Sequence, residues 1–129
     1  MATFTRMALA PGGTEGNGIG LAIQGTTVMD VHELNSTTNT TYHEVHLWAS
    51  NIGTVVETLI LLVGRPDGVS AAAAQKLHYT LQPGETQYVS PGLTIRGAST
   101  NVEIAAYLVN NTNDVVIIHG YANVIDQSA

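Results

Sequence analysis

The chain has 129 residues, 44% of them hydrophobic, and a formal charge of −6 set against only four basic side chains. That length suits one domain with one hydrophobic core, and the apolar fraction excludes a disordered chain. The cations (Arg6, Arg65, Lys76 and Arg96) are too scattered to neutralise a run of phosphates, which excludes nucleic acid and anionic membranes as partners. Cysteine is absent, so disulfides, thiolate metal ligands and a cysteine nucleophile are excluded as well. Only 11% of the residues are charged, against roughly 25% in an average soluble domain. Thr, Asn, Ser, Gln and Gly fill the polar positions instead. Small neutral groups cost little to desolvate, so such a surface is suited to lying against other protein.

In chain order, residues 1–24 read as a flexible Gly-rich N-terminal arm, centred on Pro11-Gly12-Gly13-Thr14-Glu15-Gly16-Asn17-Gly18-Ile19-Gly20. Phe4, Arg6, Pro11, Gly12, Gly13 and Ile19 are its candidate partner-contact residues. The start of the sequence has no apolar run of signal-peptide length, so synthesis in a cytoplasm is expected. Residues 25–126 are expected to form the folded domain, followed by a tail at 127–129.

Thr26 to Glu33 is a predicted strand, and the small polar run Ser36 to Thr41 a loop. Glu44 to Ala49 alternates cleanly, with Val45, Leu47 and Ala49 on one face. After a turn at Asn51-Ile52-Gly53, the run Val55 to Val63 is apolar on both faces, a strand covered on both sides. In an antiparallel sandwich a second subunit is one candidate for the outer cover. The same run, near Leu59 to Val63, is the longest apolar stretch and falls far short of the ~20 residues that span a bilayer.

Arg65-Pro66-Asp67-Gly68 signals a turn, and Ala71 to Ala74 at most one helical turn. Lys76 to Leu81 alternates again, and Gln82-Pro83-Gly84-Glu85 turns the chain into Thr86 to Ser90. Pro91-Gly92 separates that strand from Leu93 to Arg96. Val102 to Val109 and Val115 to Val124 are longer strands joined by a polar loop through Asp114. About seven or eight short strands with turn residues between them predict an all-β, antiparallel β-sandwich of jelly-roll type.

The candidate chemistry is sparse. His43 and His46 are three apart, which on a strand places them on opposite faces, so they do not form a zinc pair. His32, His78 and His119 are single, and all five histidines read as polar fillers at a surface or subunit contact. Gly16-Asn17-Gly18-Ile19-Gly20 lacks the preceding strand and following helix of a nucleotide loop, and no Walker lysine follows it. The loop at Asn111-Thr112-Asn113-Asp114 lacks the spacing of a calcium site. The N-x-[ST] triplets at Asn35, Asn39 and Asn110 follow from an Asn/Thr-rich composition. The carboxylates are spread singly, and no nucleophile elbow or triad context occurs. No catalytic residue, metal ligand or cofactor is therefore assigned, and the chain reads as non-enzymatic. Glu44, His46 and Trp48 share one strand face and form the remaining candidate contact group. An interface ladder fits them better than a sugar site.

The succession His43-Glu44-Val45-His46-Leu47-Trp48-Ala49-Ser50-Asn51, Val89-Ser90-Pro91-Gly92-Leu93, Ile104-Ala105-Ala106-Tyr107 and His119-Gly120-Tyr121-Ala122-Asn123-Val124-Ile125 resembles small virion structural proteins of tailed bacteriophages. The resemblance covers roughly residues 25 to 125 and leaves the Gly-rich arm unmatched. It implies a head decoration (cement) protein: a virion component made in the host cytoplasm. Its implied partners are further copies of itself, as a homotrimer, and the major capsid protein or another virion protein. Repeated weak contacts over a symmetric lattice give such a protein its affinity, and exposed strand edges pair with neighbours. A tail or fibre module contacting a host receptor is the second reading. A carbohydrate-binding sandwich using Trp48, Tyr79 or Tyr107 is the third.

Overall fold

The computed structural model describes residues 3–11, 20–34, 40–66, 75–97, 102–110 and 115–127. Among these, every regular element but a single 3₁₀ residue at Pro11 is a β-strand. The strands are β1 (Thr3–Ala8), β2 (Leu21–Gln24), β3 (Met29–Leu34), β4 (Thr41–Asn51), β5 (Glu57–Pro66), β6 (Gln75–Leu81), β7 (Thr86–Arg96), β8 (Val102–Leu108) and β9 (Val115–Asp126). They form two antiparallel sheets. In the first, β1 and β2 lie one after the other along one edge of β9, followed by β4 and β7. The second has the order β3-β8-β5-β6. From β2 onward the chain passes from sheet to sheet, staying in one only for the β5–β6 hairpin. That path is the double-sheet jelly roll predicted from the strand spacing.

Alternation in β4 sets the layers. Val45, Leu47 and Ala49 are fully buried and meet Val116, Ile118 and Ala122 of β9 on the inner face of the first sheet. Leu59, Leu61, Leu81, Ile104, Ala106 and Leu108 close the core from the second sheet. The outer face of β5 is buried too, through Ile60 and Leu62, which cluster with Ala105, Val28 and Tyr107. The chain itself supplies this cover, so no second subunit is needed there. Gly25 O accepts from Leu108 N at 2.9 Å and holds the 25–28 connection against the sheet. Val55 and Val56, expected in this strand, precede it and are exposed.

The expected flexible arm is sheet structure in its described parts. β1 pairs with β9 from Thr3↔Asp126 to Ala8↔Tyr121, and β2 from Leu21↔Ile118 to Gln24↔Val115. Leu9, Ala10 and Ile23 are buried. Ala10 then crosses to the second sheet, where its carbonyl accepts from Glu33 N at 3.1 Å. The physical reason is that β9 is apolar and long, and its edge must be paired or left open. Gly12, Gly13 and Ile19 lie outside the described residues, as do the expected helical turn at 71–74 and the loop at 111–114.

Pro91-Gly92 does not end a strand. β7 runs through it as the outer strand of its sheet, the position in which a strand tolerates a proline. The pairs Val45↔Leu93 and His46↔Pro91 leave Gly92, at φ +84°, as the extra residue of a bulge. At Gln82-Pro83-Gly84-Glu85 the predicted turn is present, with Glu85 N donating to Gln82 O at 3.0 Å and Gly84 at φ +78°. Buried Asn51 fastens this end of the sandwich: its Nδ2 donates to Val55 O and Leu81 O at 2.8 and 3.0 Å, and its Oδ1 accepts from Gly53 N at 2.9 Å.

Candidate functional site

The outer face of the first sheet gathers most of the chain's polar-aromatic chemistry. Register and parity place its side chains in rows across four strands. Phe4, Ile125, Tyr42 and Arg96 form the first row, and Arg6, Asn123, Glu44 and Thr94 the second. Tyr121 and His46 stand opposite each other in the third, and His119, Trp48 and Tyr88 make the fourth.

The rings stack across the strands. Trp48 lies against Tyr88 with centroids 4.8 Å apart and planes 15° apart, and His46 lies against Tyr121 at 5.0 Å and 24°. Arg6 caps the stack with its guanidinium carbon 4.2 Å from the Tyr121 centroid, within cation–π range. Below the rings runs a polar chain. His46 Nε2 is 2.8 Å from Glu44 Oε1, and Asn123 Nδ2 donates to the same oxygen at 3.1 Å. Arg6 Nε reaches Asn123 Oδ1 at 3.5 Å, and the Tyr88 hydroxyl bonds His46 Nδ1. The hydrogen bond from His46, followed by that from Asn123, holds the Glu44 carboxyl below its ordinary value. Glu44 is therefore an ionised acceptor at neutral pH.

Gly120 allows β9 to lie this close to β4. A Cβ there would fall 1.9 Å from His46 O, against the backbone of the neighbouring strand. Beside the polar chain, Phe4, Thr5, Arg6, Glu44, Asn123 and Ile125 enclose an open depression of about 350 Å³.

Of the residues singled out from the sequence, Phe4, Arg6, Glu44, His46 and Trp48 converge on this face. Pro11 lies apart from it, half-buried after the β1 strand. Tyr88, His119, Tyr121 and Asn123 belong to the face but were not legible as part of it. Their parity along β7 and β9 is readable, whereas their pairing with β4 is a register that no local pattern carries. Tyr79 and Tyr107, expected as alternative aromatic contacts, sit on the second sheet and pack against apolar clusters. Burial raises the Tyr79 phenol pKa.

The histidines divide by environment. His43 and His46 do point to opposite faces: His43 is buried and His46 lies on the outer face. His32 and His43 are not surface fillers but meet inside the sandwich, Nε2 to Nδ1 at 2.7 Å. His78 and His119 are exposed. Among the described residues no group of three or more His, Asp or Glu side chains is placed to hold a metal ion.

No protein-family model matches the sequence, and no curated protein matches it. Its fold is similar to solved structures of infectious bursal disease virus. The Gx strain structure aligns with 99% of this chain at a TM-score of 0.58 and 9% identity. The Gt strain structure aligns with 97% at 0.55 and 13% identity. A D431N mutant of the VP2 protein of the same virus, in derived T=1 particles, aligns with 97% at 0.50 and 8% identity. The chain spans about one third of the length of each of these structures, 33%, 33% and 32%. At these identities the likeness shows the fold.

Proposed function

We propose that the chain is a non-enzymatic structural component of a virus particle, working as a capsid decoration protein that binds copies of itself and a major capsid protein. The observation that carries the reading is the alignment of 99% of the chain, at a TM-score of 0.58, with a virus structure. The composition supports it independently. With 11% charged residues, the surface can be covered by neighbours without stranding ions in an interface. Among the described residues β6 and β7 are outer strands of their sheets, and an outer strand can offer backbone groups to an adjoining subunit.

The preferred assembly is a homotrimer on the head of a tailed phage, the arrangement implied by the resemblance above. The nearly neutral contact groups argue for many weak contacts multiplied by symmetry in place of one strong patch. Electron cryo-microscopy of the concentrated protein tests the proposal. Closed clusters with three-fold symmetry, joined through sheet edges or loops, are expected. Dispersed single copies at every concentration would overturn it.

A further inference from the structure

We infer that the depression between β1, β9 and β4 is a binding site for a neutral carbohydrate, a property separate from particle assembly. Its construction differs from that of a structural ladder, because its polar groups are fixed in place yet not all used. Glu44 spends Oε1 on both His46 and Asn123, while Oε2 takes no hydrogen bond among the described residues. Arg6 spends Nε on Asn123 and one guanidinium face on Tyr121, while neither terminal nitrogen donates among the described residues. Asn123 thus sits between a spare acceptor and spare donors and holds both in register.

An acceptor and a donor held side by side match a pair of neighbouring hydroxyl groups, each of which both donates and accepts. The Phe4 ring, 71% exposed at the rim, supplies an apolar wall for the C–H face of a sugar ring. A volume of about 350 Å³ lies at the small end of ligand clefts, roughly 300–1,000 Å³. Charge decides the class of sugar. The ionised Glu44 and Arg6 face the same space with opposite signs, in a chain of net charge −6. A neutral polyhydroxyl ligand uses both groups at once, whereas a sialylated or phosphorylated one would pair its anion with Arg6 only against the repulsion of Glu44 and of a net negative chain.

The test uses the whole labelled chain on an array of neutral and sialylated glycans, followed by an NMR titration with the best neutral oligosaccharide. Binding restricted to neutral glycans is expected, with shifts at Phe4, Arg6, Glu44, Asn123 and Ile125. Phe4→Ala and Glu44→Gln should each weaken it at least tenfold, while Thr86→Ala, at the far end of the face, leaves it unchanged. Phe4 and Glu44 are exposed enough for these variants to fold, which their amide spectra would verify. No neutral glycan bound at millimolar concentration, a preference for anionic glycans, or full binding by Phe4→Ala would each overturn the inference. So would shifts at these residues that follow protein dilution and not added sugar, which would make a second copy the occupant. Loss of glycan binding in a protein that still oligomerises rejects this inference alone. Glycan binding by a strict monomer rejects the assembly reading alone.

Discussion

His32 and His43 meet between the two sheets with Nε2 and Nδ1 2.7 Å apart, while Ala10 N–H donates to His32 Nδ1 at 3.1 Å. These bonds fix the tautomers. His32 Nδ1 is an acceptor, so its proton is on Nε2 and is donated to His43 Nδ1. The pair is neutral, and it ties the end of the β1 segment to both sheets. Burial, followed by the nearby His43, lowers the His32 pKa from 6.5 to about 4, and burial lowers that of His43.

A His whose folded pKa is depressed binds fewer protons folded than unfolded, so stability falls as pH falls. The contribution is complete above about pH 6.5 and is lost progressively down to about pH 4. At about 1.4 kcal/mol per pH unit, His32 alone accounts for a loss of roughly 3 kcal/mol. Urea unfolding between pH 7 and 4 measures this. In His32→Asn, whose side-chain oxygen replaces the Nδ1 acceptor, the slope should flatten. An unchanged slope would show that other groups set it.

Gly120 is required by β4, not by its own backbone. A Cβ there meets His46 O at 1.9 Å, whereas one at Gly64 meets nothing within 4 Å. Gly120→Ala should destabilise by about 3 kcal/mol or more, at the severe end of overpacking. Gly64→Ala, strained only by its φ of +72°, should cost about 1–2 kcal/mol. Thermal melts of the two variants should therefore differ clearly, and equal melting points would contradict the stated strand spacing.

The aromatic stack contributes to stability through pairs. A double-mutant cycle of Trp48→Ala and Tyr88→Ala should give a coupling of about 0.5–1.5 kcal/mol. Tyr88→Phe keeps the stack and removes the bond to His46, so it should retain most of that coupling. A coupling near zero would mean that the rings share a face without holding each other.

Removing residues 1–10 should damage the fold and not merely loosen an attachment. The deletion uncovers the half of β9 that pairs with β1 and removes the buried Leu9. Leu9→Ala alone should cost about 2–5 kcal/mol, as for other large core truncations. A truncated chain that melts at the full-length temperature would restore the reading of this segment as an arm.

Alternation placed Val45, Leu47 and Ala49 inward and Glu44, His46 and Trp48 outward, because strand parity is a local property. The turn at Pro83-Gly84 was equally legible, since its proline and glycine set the backbone angles directly. β1 was not. Thr3 to Ala8 carries weak alternation, and its strand state depends on the edge of β9, more than a hundred residues away. The same holds for the candidate site: Arg6, Asn123 and Glu44 are unremarkable singly and become a unit only through the register of three strands. The His32–His43 pair was also hidden, because it joins β3 to β4 across the sandwich and follows no spacing rule.

Light scattering on the purified chain, at two protein concentrations and two salt levels, tests the assembly claim most directly. A homotrimer has a mass of three times 13.6 kDa, and that mass should persist at high salt, since apolar and backbone contacts are little screened. A strict monomer under all four conditions would contradict it.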